Sequence, residues 1–89
     1  MTRVVLKVGG AVAADAAAPA LALAAEHQVC VVHGAGPQIS AELARAGLTV
    51  SFVEGRRVTS ADALRIVRRS LAAVNASVCA AIGATAVLA

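Results

Sequence analysis

Aromatic side chains are almost missing from this sequence, which holds one Phe and no Trp or Tyr. That removes the stacking platforms on which single-stranded nucleic-acid binders rely, and no known nucleic-acid module pattern is present. It also removes the bulkiest core fillers. Hydrophobic residues make up 60% of the 89 positions, but Ala and Val dominate them. Small side chains bury little area each, so a chain this short is expected to be marginal on its own.

Cysteine is scarce too, with only Cys30 and Cys79. Two thiols without a close histidine pair do not form a zinc site. They read as buried thiols of a protein in the reducing cytoplasm. The histidines are His27 and His33, and no carboxylate pair stands at metal-ligand spacing, so no metal site is expected. No apolar run is long enough to span a membrane. Arg3, Lys7 and the Ala20–Ala24 stretch resemble parts of a secretory signal. Gly9, Gly10, Asp15 and Pro19 interrupt what would be its apolar core, which argues against one. The Walker pattern and the nucleophile elbow are also missing. The net charge is +3, which tolerates an anionic ligand without demanding nucleic acid.

What is present centres on Val29–Ser40. Cys30, Val31 and Val32 suit a strand covered on both faces. Gly34 and Gly36 follow, and Pro37 fits the first position of a helix because its missing N–H has no partner there. A helix that starts this way aims unpaired N–H groups at whatever sits over the turn, which suits phosphate or carboxylate. A turn that binds nothing would look the same.

Around this stretch the chain reads as an α/β unit. Arg3–Val8 is a strand stopped by Gly9 and Gly10. Ala11–Glu26 is helix-favouring, with a late start or a kink at Pro19 and with Asp15 capping or preceding it. Gln28–His33 is a second strand, parallel to the first through a right-handed crossover. Pro37–Ala46 is a helix ended by Gly47. Leu48, Val50 and Phe52 alternate as a strand, Glu54-Gly55 turns the chain, and Arg56–Val58 returns as a hairpin. Thr59–Asp62 fits a capping box. The long helix that follows carries Leu64, Val67, Leu71, Val74, Val78 and Ile82 on one face until Gly83. Thr85–Leu88 reads as a further strand.

Three motifs have chemistry to offer. Lys7 stands at the end of a parallel strand, the ligand-binding edge of such sheets, beside Gly9 and Gly10. A cation there can neutralise a transferring phosphoryl group; a surface lysine before a turn is the plainer reading. The His33-Gly34-Ala35-Gly36 turn should open at the same edge, so two anion-binding loops with one lysine between them suit a polyphosphate. His33 reads more simply as structural. Arg57, just before the long helix, can clamp a carboxylate with two parallel bonds, or it can be one of a solvated pair with Arg56. Arg65, Arg68 and Arg69 form a basic stripe read as a solvated helix face. Gly34-x-Gly36 is also a partial dinucleotide fingerprint, but Ile39 occupies the third glycine position.

Taken in order, the Lys7-x-Gly9-Gly10 strand end, the Val32–Gln38 turn and the Phe52–Thr59 segment resemble the amino-acid kinase family. The likeness runs over essentially the whole chain, Val74-Asn75 included. It is strongest to the branch that phosphorylates N-acetyl-L-glutamate in arginine biosynthesis. The resemblance implies a mostly parallel sheet between helix layers, use of ATP and Mg²⁺, and N-acetyl-L-glutamate as partner. It also implies a homo-oligomer in the full enzyme. Lys7 matches the lysine that stabilises the transferring phosphoryl group, and Gly9 and Gly10 match the first phosphate-facing loop. Gly34, Ala35 and Gly36 match the turn that meets substrate and phosphoryl group. Arg57 matches the arginine that holds the α-carboxylate. Ala35 stands where the family usually has glycine. Residues 1–89 then correspond to the N-terminal, substrate-binding segment, and the nucleotide-binding lobe has no counterpart, so the chain alone is expected not to turn over. Three rivals remain: a non-catalytic association module, a sibling kinase acting on acetylaminoadipate or aspartate, and half of a dinucleotide-binding domain.

Overall fold

The computed structural model describes residues 2–49 and 51–84. The order of elements is β1 (Thr2–Val8), a 3-10 helix (Gly10–Asp15), α1 (Ala17–Ala24), β2 (His27–His33), α2 (Gly36–Arg45), β3 (Phe52–Val53), β4 (Arg56–Arg57) and α3 (Ala61–Ile82). The expected strand at Thr85–Leu88 and the inward position at Val50 lie outside the described residues.

β1 and β2 are parallel, in register from Thr2 opposite His27 to Val8 opposite His33. This is the α/β arrangement that strand, helix, strand at short spacing requires. Exposure alternates along both strands. Val4, Leu6, Val8, Val29, Val31 and His33 point to the half-buried face, and α1 packs against β2. Val5, Lys7, Cys30 and Val32 point the other way and are exposed, Val5 by 70%. The expectation of a strand covered on both faces is therefore not met by the described residues, and Cys30 is an exposed rather than a buried thiol. A single crossover supplies helices to one face only.

The alanine-rich stretch divides in two. Gly10–Asp15 winds as a 3-10 helix and Ala17–Ala24 as α1. Pro19 occupies the third position of α1, where no intrahelical bond is lost. Asp15 precedes α1 without capping it; the cap position is Ala16, with no side-chain bond.

α2 ends as its glycine predicts. Gly47 has φ +75°, its N–H reaches Ala44 O at 3.0 Å, and Leu48 N–H reaches Leu43 O at 2.9 Å. These two bonds satisfy carbonyls that the helix end would leave open. The expected strand from Leu48 shortens to Phe52–Val53, paired antiparallel with Arg56–Arg57. Glu54 and Gly55 both take positive φ, 51° and 76°, the mirror-image turn that matches strand twist in a two-residue hairpin.

α3 is capped by Ser60, whose Oγ accepts from Ala63 N–H at 3.1 Å. The expected box set Thr59 as cap and Asp62 as its reciprocal partner. The observed start is one residue later, so Asp62 contributes only its charge near the positive helix end. The buried face of α3 carries Ala63, Ile66, Ser70 and Val78, while Leu64 is 49% exposed. With α2 it forms the core of Ala35, Ile39, Leu43, Ala63 and Ile66, flanked by Leu48, Val67, Leu71 and Val74. Leu43 is the largest fully buried side chain. Among the described residues no helix is long and apolar enough to cross a membrane.

Candidate functional site

The ends of β1 and β2 each run into a glycine turn, and the two turns touch. Gly34 N–H donates to Val8 O at 3.2 Å, which extends the parallel ladder by one bond. Gly10 is buried directly against the second turn. A Cβ at residue 10 would lie 2.8 Å from the Ala35 Cα and 2.9 Å from the Gly36 nitrogen, closer than non-bonded atoms allow. Gln38 closes the junction, its Nε2 donating to Gly10 O at 2.8 Å. Its Oε1 is buried with no partner among the described residues.

Gly9 and Gly36, by contrast, are exposed, with open space where a Cβ would stand. Gly36 opens α2, and Pro37 is in its first turn. The first closing bond runs from Ile39 N–H to Ala35 O, 2.8 Å. The N–H groups of Gly36 and Gln38 therefore have no intrahelical acceptor, and the helix dipole adds partial positive charge beside them. Ala35 has φ −150°, open to any L-residue, and is only 2% exposed. Its methyl packs in the core with Ile39 and Leu43 rather than over the turn.

Arg57 reaches the same turn from β4. Its Nη1 and Nη2 both donate to Ser40 Oγ at 3.2 Å, and Nη2 also donates to Gly36 O at 3.1 Å. The guanidinium carbon lies 4.9 Å from the centre of the Phe52 ring, within cation–π range. The hairpin thus places Phe52 and Arg57 opposite each other in register and delivers the cation to the first turn of α2. Arg56, its neighbour, is exposed.

His33 ties the turn to the long helix. Its Nδ1 is 3.1 Å from Gly34 O, and its Nε2 is 3.0 Å from Asn75 Oδ1. That is a structural bridge between β2 and α3, and it gives Asn75 a partner across the core.

The structure thus brings Gly10, Gly34, Ala35, Gly36 and Arg57 together. It does not bring Lys7 into contact with them. Lys7 pairs in register with Val32 on the open face of the sheet, is exposed, and makes no ion pair or hydrogen bond among the described residues. The expected lysine between two loops is instead a lysine one step before them on the opposite face. Gln38 and Asn75 fall within the motifs that carry the resemblance but have no assigned role there, and Ser40 is passed over by motif reading, because a hydroxyl in a helix carries no spacing signal. Among the described residues no group of three or more His, Cys, Asp or Glu could hold a metal ion.

A model of the amino acid kinase family matches residues 2–89. The chain belongs to the amino acid kinase family. Among curated relatives of this amino acid kinase chain is the acetylglutamate kinase of Xanthomonas campestris pv. campestris, 47% identical over 76 residues, 80% of this chain and 18% of that protein. The acetylglutamate kinase of Streptomyces clavuligerus is 60% identical over 42 residues, 47% of this chain and 14% of that protein. A protein of Dictyostelium discoideum named bifunctional protein argC, mitochondrial, is 56% identical over 39 residues, 44% of this chain and 5% of that protein. The chain thus spans less than a fifth of the length of these relatives.

Proposed function

We propose that residues 1–89 form the substrate-binding, N-terminal segment of an enzyme that phosphorylates the side-chain carboxylate of N-acetyl-L-glutamate. The observation that carries this reading is the meeting of two glycine turns and one guanidinium at the start of α2. It is supported by the likeness to acetylglutamate kinases.

The assigned roles follow from charge and donor geometry. Arg57 holds the α-carboxylate, since guanidinium and carboxylate match as a two-pronged pair. It has five N–H donors, and three contacts to Ser40 and Gly36 leave donors for a ligand. Gly36 offers an exposed N–H to the reacting carboxylate or to phosphoryl oxygens. Gly34 and Ala35 hold the turn in shape, and Ala35, being buried, acts from beneath it. Gly9 and Gly10 supply the first phosphate-facing loop.

ATP would supply the phosphoryl group, with Mg²⁺ entering alongside the nucleotide. The amides fit phosphoryl oxygens, but no metal-ligand cluster among the described residues fits the ion. No step is assigned to the metal. Lys7 is assigned to the charge that develops on transfer, which its long side chain would have to reach from the open face of the strand end, so its worth lies in the transition state.

Calorimetric titration of the chain with N-acetyl-L-glutamate tests the reading. Arg57→Ala should weaken binding by about 2–4 kcal/mol, the loss of a charged partner. Lys7→Ala should change ground-state binding much less. Absence of binding by the folded wild-type chain would reject the assignment of this substrate.

A further inference from the structure

We infer that Ser40 is a positioning residue for the α-carboxylate of the substrate, acting through Arg57. This rests on the substrate-site reading above, but its geometry is separate. Two N–H groups of one guanidinium converge on a single hydroxyl oxygen, Nη1 and Nη2 each at 3.2 Å from Ser40 Oγ. A third contact, Nη2 to Gly36 O at 3.1 Å, pins the same group sideways. The Phe52 ring, 4.9 Å from the guanidinium carbon, lies within cation–π range of it.

Each of these partners has a different consequence. A backbone carbonyl cannot be exchanged by substitution without moving the chain. The Ser40 hydroxyl can. It sits one helical turn beyond Gly36, on the same side of α2. With both lone pairs of Oγ taken by Arg57, its own proton has to point away from the guanidinium. Ser40 therefore acts on the cation as an acceptor that orients it. A carboxylate arriving at Arg57 meets a guanidinium already held in orientation. Its two oxygens are charged and can form shorter bonds than a hydroxyl does. They can displace one of the long Ser40 contacts without releasing the other.

Ser40→Ala removes the acceptor that sets the guanidinium in place while leaving the charge. Arg57 then samples other rotamers, and binding has to restrict it again. The loss should be about three- to tenfold in N-acetyl-L-glutamate affinity, the range of one or two ordinary hydrogen bonds. Ser40→Thr keeps the hydroxyl and should stay within about twofold of wild type. In the Arg57→Ala background, Ser40→Ala should cost nothing further, because a residue that works through Arg57 has nothing left to position.

A ligand-free measurement accompanies the titration. In nitrogen-15 NMR of the isolated chain, the Arg57 Nη hydrogens should give slowly exchanging, resolved signals. They should collapse in Ser40→Ala and persist in Ser40→Thr. Retention of those signals in Ser40→Ala, or a Ser40→Ala loss of affinity that adds fully to that of Arg57→Ala, would overturn the inference. If the wild-type chain shows no affinity for N-acetyl-L-glutamate, the substrate assignment fails and the NMR comparison alone decides the role of Ser40.

Discussion

Gly10 lies against the Ala35–Gly36 peptide so closely that a Cβ on it would come within 2.8 Å of the Ala35 Cα. This contact, not the glycine's torsion angles, is why residue 10 has no side chain. The neighbouring glycine is different. Gly9 has φ −70° and nothing within 4 Å of a Cβ position. Gly10→Ala should therefore cost about 1–3 kcal/mol, as overpacking against backbone does. Gly9→Ala should be neutral or gain about 0.4–1 kcal/mol through the unfolded chain. Urea unfolding of the two variants measures the difference; equal stabilities would mean the two turns do not touch in solution.

A second contrast concerns the residue between the two glycines of the β2–α2 turn. Ala35 has a negative φ and is 2% exposed, with its methyl among Ile39 and Leu43. Replacing it with glycine removes a buried methyl and adds chain entropy to the unfolded state. Ala35→Gly should lower stability by about 1–2 kcal/mol. It should leave ligand affinity within about twofold, because the N–H is kept and the methyl does not cover the exposed Gly36. A gain of affinity in Ala35→Gly would show that the methyl obstructs the site.

How far the sequence reaches depends on the range of the interaction. The parallel strands, the Gly47 and Gly83 helix ends, and the Glu54-Gly55 turn are written locally, because each is set by a period or by a backbone angle that few residues adopt. The pairing of Arg57 with Gly36 has no local signature. Its contacts to Ser40 and Phe52 have none either, since they depend on how the hairpin folds over α2. Lys7 shows the limit most sharply. Its place at the strand end is legible, but strand alternation also decides which face it takes. That face is opposite the helices, as the one-residue offset from Val8 dictates. Cys30 is exposed for the same reason, since an apolar run gives no sign of which face goes uncovered.

The start of α3 separates two neighbouring hydroxyl residues. Ser60 Oγ accepts from Ala63 N–H at 3.1 Å, whereas Thr59 lies outside the cap and is exposed. Ser60→Ala should destabilise by about 1 kcal/mol. Thr59→Ala should stay within about 0.5 kcal/mol of wild type. Ser60→Asp should recover most of the loss, because an aspartate caps as well as a serine and its charge favours the helix start. Thermal unfolding of the three variants, followed by circular dichroism, distinguishes this from a cap on Thr59, which would reverse the order of the two alanine variants.

The rotation of α3 is open to the same kind of test. Heptad-like spacing put Leu64 at the head of the apolar face, yet Leu64 is 49% exposed and Ile66 only 8%. Ile66 joins Ala63 in the cluster with Ala35, Ile39 and Leu43, and small residues at 35 and 63 let the first turns of α2 and α3 pack together. Ile66→Ala removes a buried branched side chain and should cost about 2–4 kcal/mol, a large fraction of the stability of so small a chain. Leu64→Ala, on the solvent side, should cost under about 1 kcal/mol and improve solubility by removing exposed apolar surface. If Leu64→Ala were the more damaging of the two in urea unfolding, the helix would be turned by about 100° per residue step toward the face that its spacing alone suggests. The first turn of α2, which is packed on that helix and carries the candidate site, would then have to be placed anew.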